Sequence, residues 1–239
     1  ARFFGNLPEK PTATDLRKSL TRFAAFAYRR PADPQRLEPY LRLADKRFEE
    51  TGDFWQAAKL AMKGILASPG FIYLVEPQEG QQAVVKLNNY ELATRLSYFL
   101  WSSMPDDELL KVASEEKLRD PTILRQQVDR MLDDPKRVAF SNNFLGQWLN
   151  LRKLGTMPPD PASNKSYYSD NLEAAMRQET RLLFDHLLGK NQSILEFIDT
   201  DYTFVNPALA RHYGIKGVTE ERFQRVALKP EARRGGLLG

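Results

Sequence analysis

Apolar residues recur along this chain at the three- and four-residue spacing of a helix face. Leu16, Leu20, Phe23 and Ala27 form the first stripe. It predicts a helix capped by Thr14 or Asp15 and stopped by Pro31. Asp33-Pro34 restarts the chain as cap plus first-turn proline, with Leu37, Tyr40, Leu41, Ala44 and Phe48 as the second stripe and Gly52 as the stop. Asp53 caps a third helix carrying Phe54, Ala57, Ala58, Ala61 and Ile65, and Ser68-Pro69-Gly70 ends it. The three predict a compact bundle with short connections.

The run Phe71–Val75 reads as a strand or an extended buried segment. Ala83-Val84-Val85 would pair with it as a small hairpin across a loop at 77–88. Asn88 or Asn89 caps the most apolar helix, Tyr90 to Trp101, with a core stripe of Leu92, Leu96, Phe99 and Leu100. Helices follow from Pro105, from Asp120-Pro121 and from Asp134-Pro135. The recurrence of Asp-Pro at 33, 120 and 134 is capping chemistry, not duplication. Gly155, Pro158, Pro159 and Pro161 mark the clearest linker. Beyond it come a long helix from about Ser169 to Leu188, a helical turn at 193–198, a short helix capped by Asn206-Pro207, and a strand within 223–228. The expected fold is all-α: a multi-helix bundle of two lobes with at most a small β-hairpin. Residues 1–154 form the first lobe, 155–170 the linker and 171–239 the second lobe.

Composition narrows the chemistry. The 239 residues contain no cysteine and two histidines. Disulfides, thiol catalysis and covalent c-type haem attachment within this chain are excluded, and a three-histidine metal site cannot be built from one copy. With 35 basic and 31 acidic residues the net charge is +4, and no basic block tracks a phosphate backbone, so no nucleic-acid partner is expected. Mean hydropathy is −0.51 and no apolar run reaches membrane-spanning length. The chain opens without Met and closes on RRGGLLG, which predicts a portion of a longer protein.

Four constellations carry candidate chemistry, each beside a purely structural reading. Glu179 stands in an otherwise apolar helical stripe, and Arg95 is similarly placed near Leu92, Leu96 and Phe99. A buried lone carboxylate is costly, so a buried Arg95–Glu179 ion pair locking the lobes is expected. His186 lies two turns beyond Glu179 on the same face, a metal ligand only if other elements add theirs. The segment from Asp201 to Tyr213 gathers Tyr202, Phe204, Asn206, Arg211 and His212. Functionally, His212 acts as acid or base with Asp201 orienting it, and the segment is a binding surface. Structurally, Tyr202 and Phe204 anchor a turn, Asn206 caps a helix and Arg211 pairs with an acid. Tyr98, Trp101, Trp148 and Arg152 are core aromatics with a flanking cation, or a groove for a sugar or a haem edge.

The stretches AFAYRRPAD (25–33), ILASPGFIYLVE (65–76), YELATRLSYFLWSSMPDDELL (90–110), NFLGQWLNLRKL (143–154) and DYTFVNPALARHYGIKGV (201–218) resemble a planctomycete-type family of unknown function. Its domains lie in tandem in large proteins, many with a c-type cytochrome domain and an export signal. The resemblance runs from about residue 14 to 239, and RRGGLLG looks like the opening of a following domain. It implies a periplasmic or cell-envelope setting, with any haem on a partner or another domain, since no attachment motif stands here. It supplies no catalytic residues. The expected function is a non-catalytic scaffold that docks other domains of the same protein or a cytochrome subunit. The alternative is part of a redox or polymer-directed enzyme whose site other domains complete.

Overall fold

In a computed structural model, which describes residues 4–74, 86–229 and 234–236, the described residues are 63% helical. Eleven α-helices and one two-stranded ribbon stand among the described residues. They divide into two compact units: residues up to 99 with 103–128, and 100–102 with residues from 129 onward.

The first unit opens with α1 (Ala13–Tyr28), α2 (Pro34–Thr51) and α3 (Phe54–Leu66). Leu16, Leu20, Leu37, Ala44, Ala58 and Ile65 make its packed centre. The expected caps at Asp33 and Asp53 form, and Gly52 takes the left-handed conformation that ends α2. The cap of α1 is Thr12, not Thr14 or Asp15. Its hydroxyl accepts from the Asp15 N–H, and the Asp15 carboxylate accepts from the Thr12 N–H, a reciprocal box. Gly64 gives α3 close approach to α2, since a Cβ there would stand 2.8 Å from the Tyr40 ring.

Phe71–Leu74 is not the expected strand. Ser68-Pro69 starts a further turn, α4 (Pro69–Ile72), because Ser68 is extended and proline suits the first helical position. Its apolar side chains are exposed: Phe71 38%, Ile72 59%, Tyr73 63% and Leu74 54%. The partner strand expected at 83–85 lies outside the described residues.

The unit continues with α5 (Asn89–Trp101), α6 (Asp107–Ser114) and most of α7 (Pro121–Asp133). Asn88 caps α5 with Glu91 in a second reciprocal box. Asp106 and Asp120 cap α6 and α7. The core stripe of α5 differs from expectation. Ala93, Ser97, Leu100 and Trp101 are buried while Phe99 is exposed. Ala93 and Ser97 allow close approach on the inner face, and Leu100 and Trp101 fill it.

In the second unit, α8 (Val138–Trp148) and α10 (Leu172–Lys190) pack through aromatic rings. Phe184 lies 5.8 Å from Phe140 and 5.6 Å from Phe144. This places the division before α8, not at 155–170. The proline-rich stretch is a surface excursion ending in α9 (Lys165–Ser169). The Tyr168 hydroxyl donates to the Pro159 carbonyl, and Arg177 on α10 donates to the Leu154 carbonyl. After a 3-10 turn (Ile194–Phe197), β1 (Tyr202–Val205) lies on α10 and pairs antiparallel with β2 (Gln224–Ala227), Tyr202 opposite Ala227. The connection between them contains α11 (Pro207–Tyr213). The strand expected within 223–228 is therefore β2. Its partner is β1, where the sequence predicts a turn anchored by Tyr202 and Phe204.

Candidate functional site

The segment Asp201–Tyr213 is strand, cap and helix in succession. Along β1, Tyr202, Thr203 and Val205 are buried and Phe204 is half-buried. The Asn206 carboxamide accepts from the Leu209 N–H and caps α11, and Arg211 pairs with Asp170 at 3.1 Å. The structural readings of Asn206 and Arg211 therefore describe their contacts.

Glu179 on α10 is half-buried, and two hydroxyls hold its carboxylate. Thr203 Oγ1 donates at 2.5 Å and Tyr213 O–H at 2.7 Å. These hydrogen bonds tie β1 and α11 to α10. Arg95, expected inside an apolar stripe, is instead exposed on α5. The charge of Glu179 is balanced by hydroxyl dipoles of its own unit, a cheaper solution than a desolvated guanidinium. Burial, then the negative charge of Glu179, pushes the Tyr213 hydroxyl well above the usual tyrosine range. Arg234 lies over the Tyr213 ring at 3.6 Å.

Asp201 and Tyr202 line a cavity of about 570 Å³ with His186, Glu196, Asp199 and Arg225. Tyr202 donates to Glu196 at 2.6 Å. Its hydroxyl is pushed up to about 12, by burial first and by Glu196 next. The His186 ring stands 5.5 Å from Tyr202 and 5.6 Å from Phe204. His212 is exposed on α11, beside the Tyr213 ring, and does not line this cavity. The structure thus gives Asp201 to the cavity and leaves His212 outside it. No group of three or more histidines and acids suited to a metal stands among the described residues. Of the three aromatic positions in the fourth constellation, Trp101 is buried and donates to the Met131 carbonyl at 2.9 Å, while Tyr98 and Trp148 are exposed. Arg152 donates to Asn143 at 3.0 Å.

A second cavity, of about 750 Å³, lies in the first unit between the end of α1, the start of α2, α4 and α5. Stretches 25–33, 65–76 and 90–110, which carry the resemblance, supply most of its walls. Arg29 builds one wall. It is buried, takes the left-handed conformation (φ 57°) that ends α1, and donates to the Gly70 carbonyl at 3.2 Å. Burial pushes the Tyr28 hydroxyl up. Glu91, 4% exposed, accepts from the Asn88 N–H through Oε2. Among the described residues its Oε1 receives no hydrogen bond, and Arg30 stands 3.8 Å from it. Sequence reading missed this site. The signals were the Arg29-Arg30 pair before Pro31 and an acid at the third position after Asn88.

No curated protein and no solved structure matches the chain. Two family models do: one described as a protein of unknown function (DUF1595) over residues 15–76, and one described as a protein of unknown function (DUF1592) over residues 87–215. The second match alone spans more than half of the sequence, and the chain belongs to the DUF1592 family of proteins of unknown function.

Proposed function

We propose that this chain is a non-catalytic helical docking module of a longer, envelope-associated protein, and that it seats a c-type cytochrome domain or subunit. One observation carries the reading. On the second unit, Phe144, Trp148, Ile194, Leu195 and Ile198 are large, apolar and exposed. They are neighbours: Trp148 stands 5.6 Å from Phe144 and 5.4 Å from Phe197, which lies in the turn with Ile194 and Leu195. A contiguous apolar patch with aromatic centre suits a protein interface. The net charge of +4 favours a partner with an acidic face. The cytochrome and the envelope setting rest on the sequence resemblance. No helix among the described residues is long and apolar enough to cross a membrane.

The test is native isolation of the full-length protein with haem absorbance recorded across the elution. Haem is expected to co-elute with the wild type and to separate from a Leu195→Glu, Ile198→Glu variant of unchanged helical content. Absence of haem, or retention by the variant, overturns the reading. A second reading, part of an enzyme completed by other domains, is favoured by the titratable wall of His186, Asp201 and Tyr202. It predicts that His186→Gln abolishes an activity of the full-length protein while leaving haem co-elution intact.

A further inference from the structure

We propose that the cavity of the first unit binds a small organic anion, a ring compound bearing a carboxylate and a hydroxyl group. The volume of about 750 Å³ falls within the ~300–1,000 Å³ usual for small-molecule sites. Tyr28, Tyr40, Tyr73, Pro31, Pro69 and Leu74 give it flat, apolar walls that suit a ring.

The charged groups select the substituents. Arg29 is committed to the Gly70 and Phe71 carbonyls. Arg30 and Arg36 are different. Their guanidinium groups make no hydrogen bond among the described residues, the facing carboxylates standing 3.8 Å (Glu91) and 3.6 Å (Asp33) away. Both line the cavity with N–H forks of the geometry that grips a carboxylate in two places. Arginines outnumber acids among the described lining residues, four to two, so a cationic ligand is disfavoured.

Glu91 adds the second requirement. A carboxylate this buried, with one oxygen lacking a donor, is a cost that folding alone leaves unexplained. The guanidinium of Arg30 is too far to satisfy it directly. A ligand hydroxyl is a neutral donor that fits a site already rich in positive charge. Shift of Glu91 toward it on binding would satisfy Oε1 while Oε2 keeps the Asn88 N–H. The left-handed Arg29, a conformation costly for a residue with a side chain, fixes the α4 wall on which this geometry depends.

The proposal concerns the first unit alone and stands independently of the docking face. Calorimetric titration of the full chain with 4-hydroxybenzoate, benzoate, phenol and inorganic phosphate tests it. Saturable binding of 4-hydroxybenzoate is expected, with benzoate weaker by ~10-fold, one charge-assisted hydrogen bond, and phenol, which loses the whole carboxylate grip, weaker still. Arg30→Gln and the exposed Arg36→Gln should each weaken both carboxylates and leave phenol unchanged. Glu91→Gln, which keeps an acceptor for Asn88, should reduce 4-hydroxybenzoate to the affinity of benzoate. Helical content measured on each variant separates lost binding from lost folding. No saturable binding by wild type, equal binding of inorganic phosphate, or an Arg36→Gln variant of unaltered affinity overturns the proposal.

Discussion

The Glu179 carboxylate shows what a single side chain decides. Its partners are the hydroxyls of Thr203, 24 residues away, and Tyr213, 34 residues away. Removing either donor leaves part of a half-buried carboxylate unsatisfied. Tyr213→Phe is expected to lower unfolding stability by ~1–3 kcal/mol in chemical denaturation, and Thr203→Val by a similar amount. Because both act on one acceptor, the double variant should lose less than the sum. The raised tyrosines add a pH dependence. Tyr202 ionises at about 12 in the folded chain and at ~10 when unfolded. Its contribution is therefore complete below pH ~10 and is lost as pH rises toward about 12. Tyr213 is shifted the same way. Alkaline titration of tyrosinate absorbance should show at least two late-ionising groups, and thermal stability should fall over the same range.

At the level of elements, the helix boundaries follow from local chemistry and their packing does not. Asn206 caps α11 through the Leu209 N–H, and Asn206→Ala is expected to cost ~1 kcal/mol. Gly64 makes the opposite point. Intrinsic propensity favours alanine over glycine within a helix by ~1 kcal/mol. Here the added Cβ would meet the Tyr40 ring at 2.8 Å across the α2–α3 contact. Gly64→Ala should therefore lower the melting temperature, and a rise would show that Tyr40 swings aside freely. Asp-Pro and Asx caps at 33, 53, 120 and 134 were legible because a cap acts on N–H groups two or three residues away. The buried face of α5 was not. Leu92, Leu96 and Phe99 make as good a stripe as Ala93, Ser97 and Leu100, and only the opposing surface chooses between them.

Across the whole molecule, each unit is held by its own core, and the proline-rich stretch belongs to the second. Phe140, Phe144 and Phe184 join α8 to α10 around it, with Arg177 reaching back to Leu154. Limited proteolysis within 155–164 is expected to leave two fragments that co-elute in gel filtration until denatured. Separation without denaturant would mean that the stretch is the boundary its composition suggested. The two cavities were legible to different degrees. Asp201 and Tyr202 of the second-unit cavity lie within the segment Asp201–Tyr213 that the sequence singles out. The first-unit cavity needs Arg30, Ser68 and Glu91 side by side, from three separate stretches of the chain.

Sequence alone determined the helical class, most of the caps and stops, and the absence of thiol chemistry. Each of these depends on composition or on groups within one turn of each other. Tertiary structure decided which oxygen of which acid finds a donor, which apolar side chains remain in water, and where the chain divides into units. Those outcomes depend on distances between residues tens of positions apart, and the free energy that selects among them comes from surfaces meeting, not from any segment by itself.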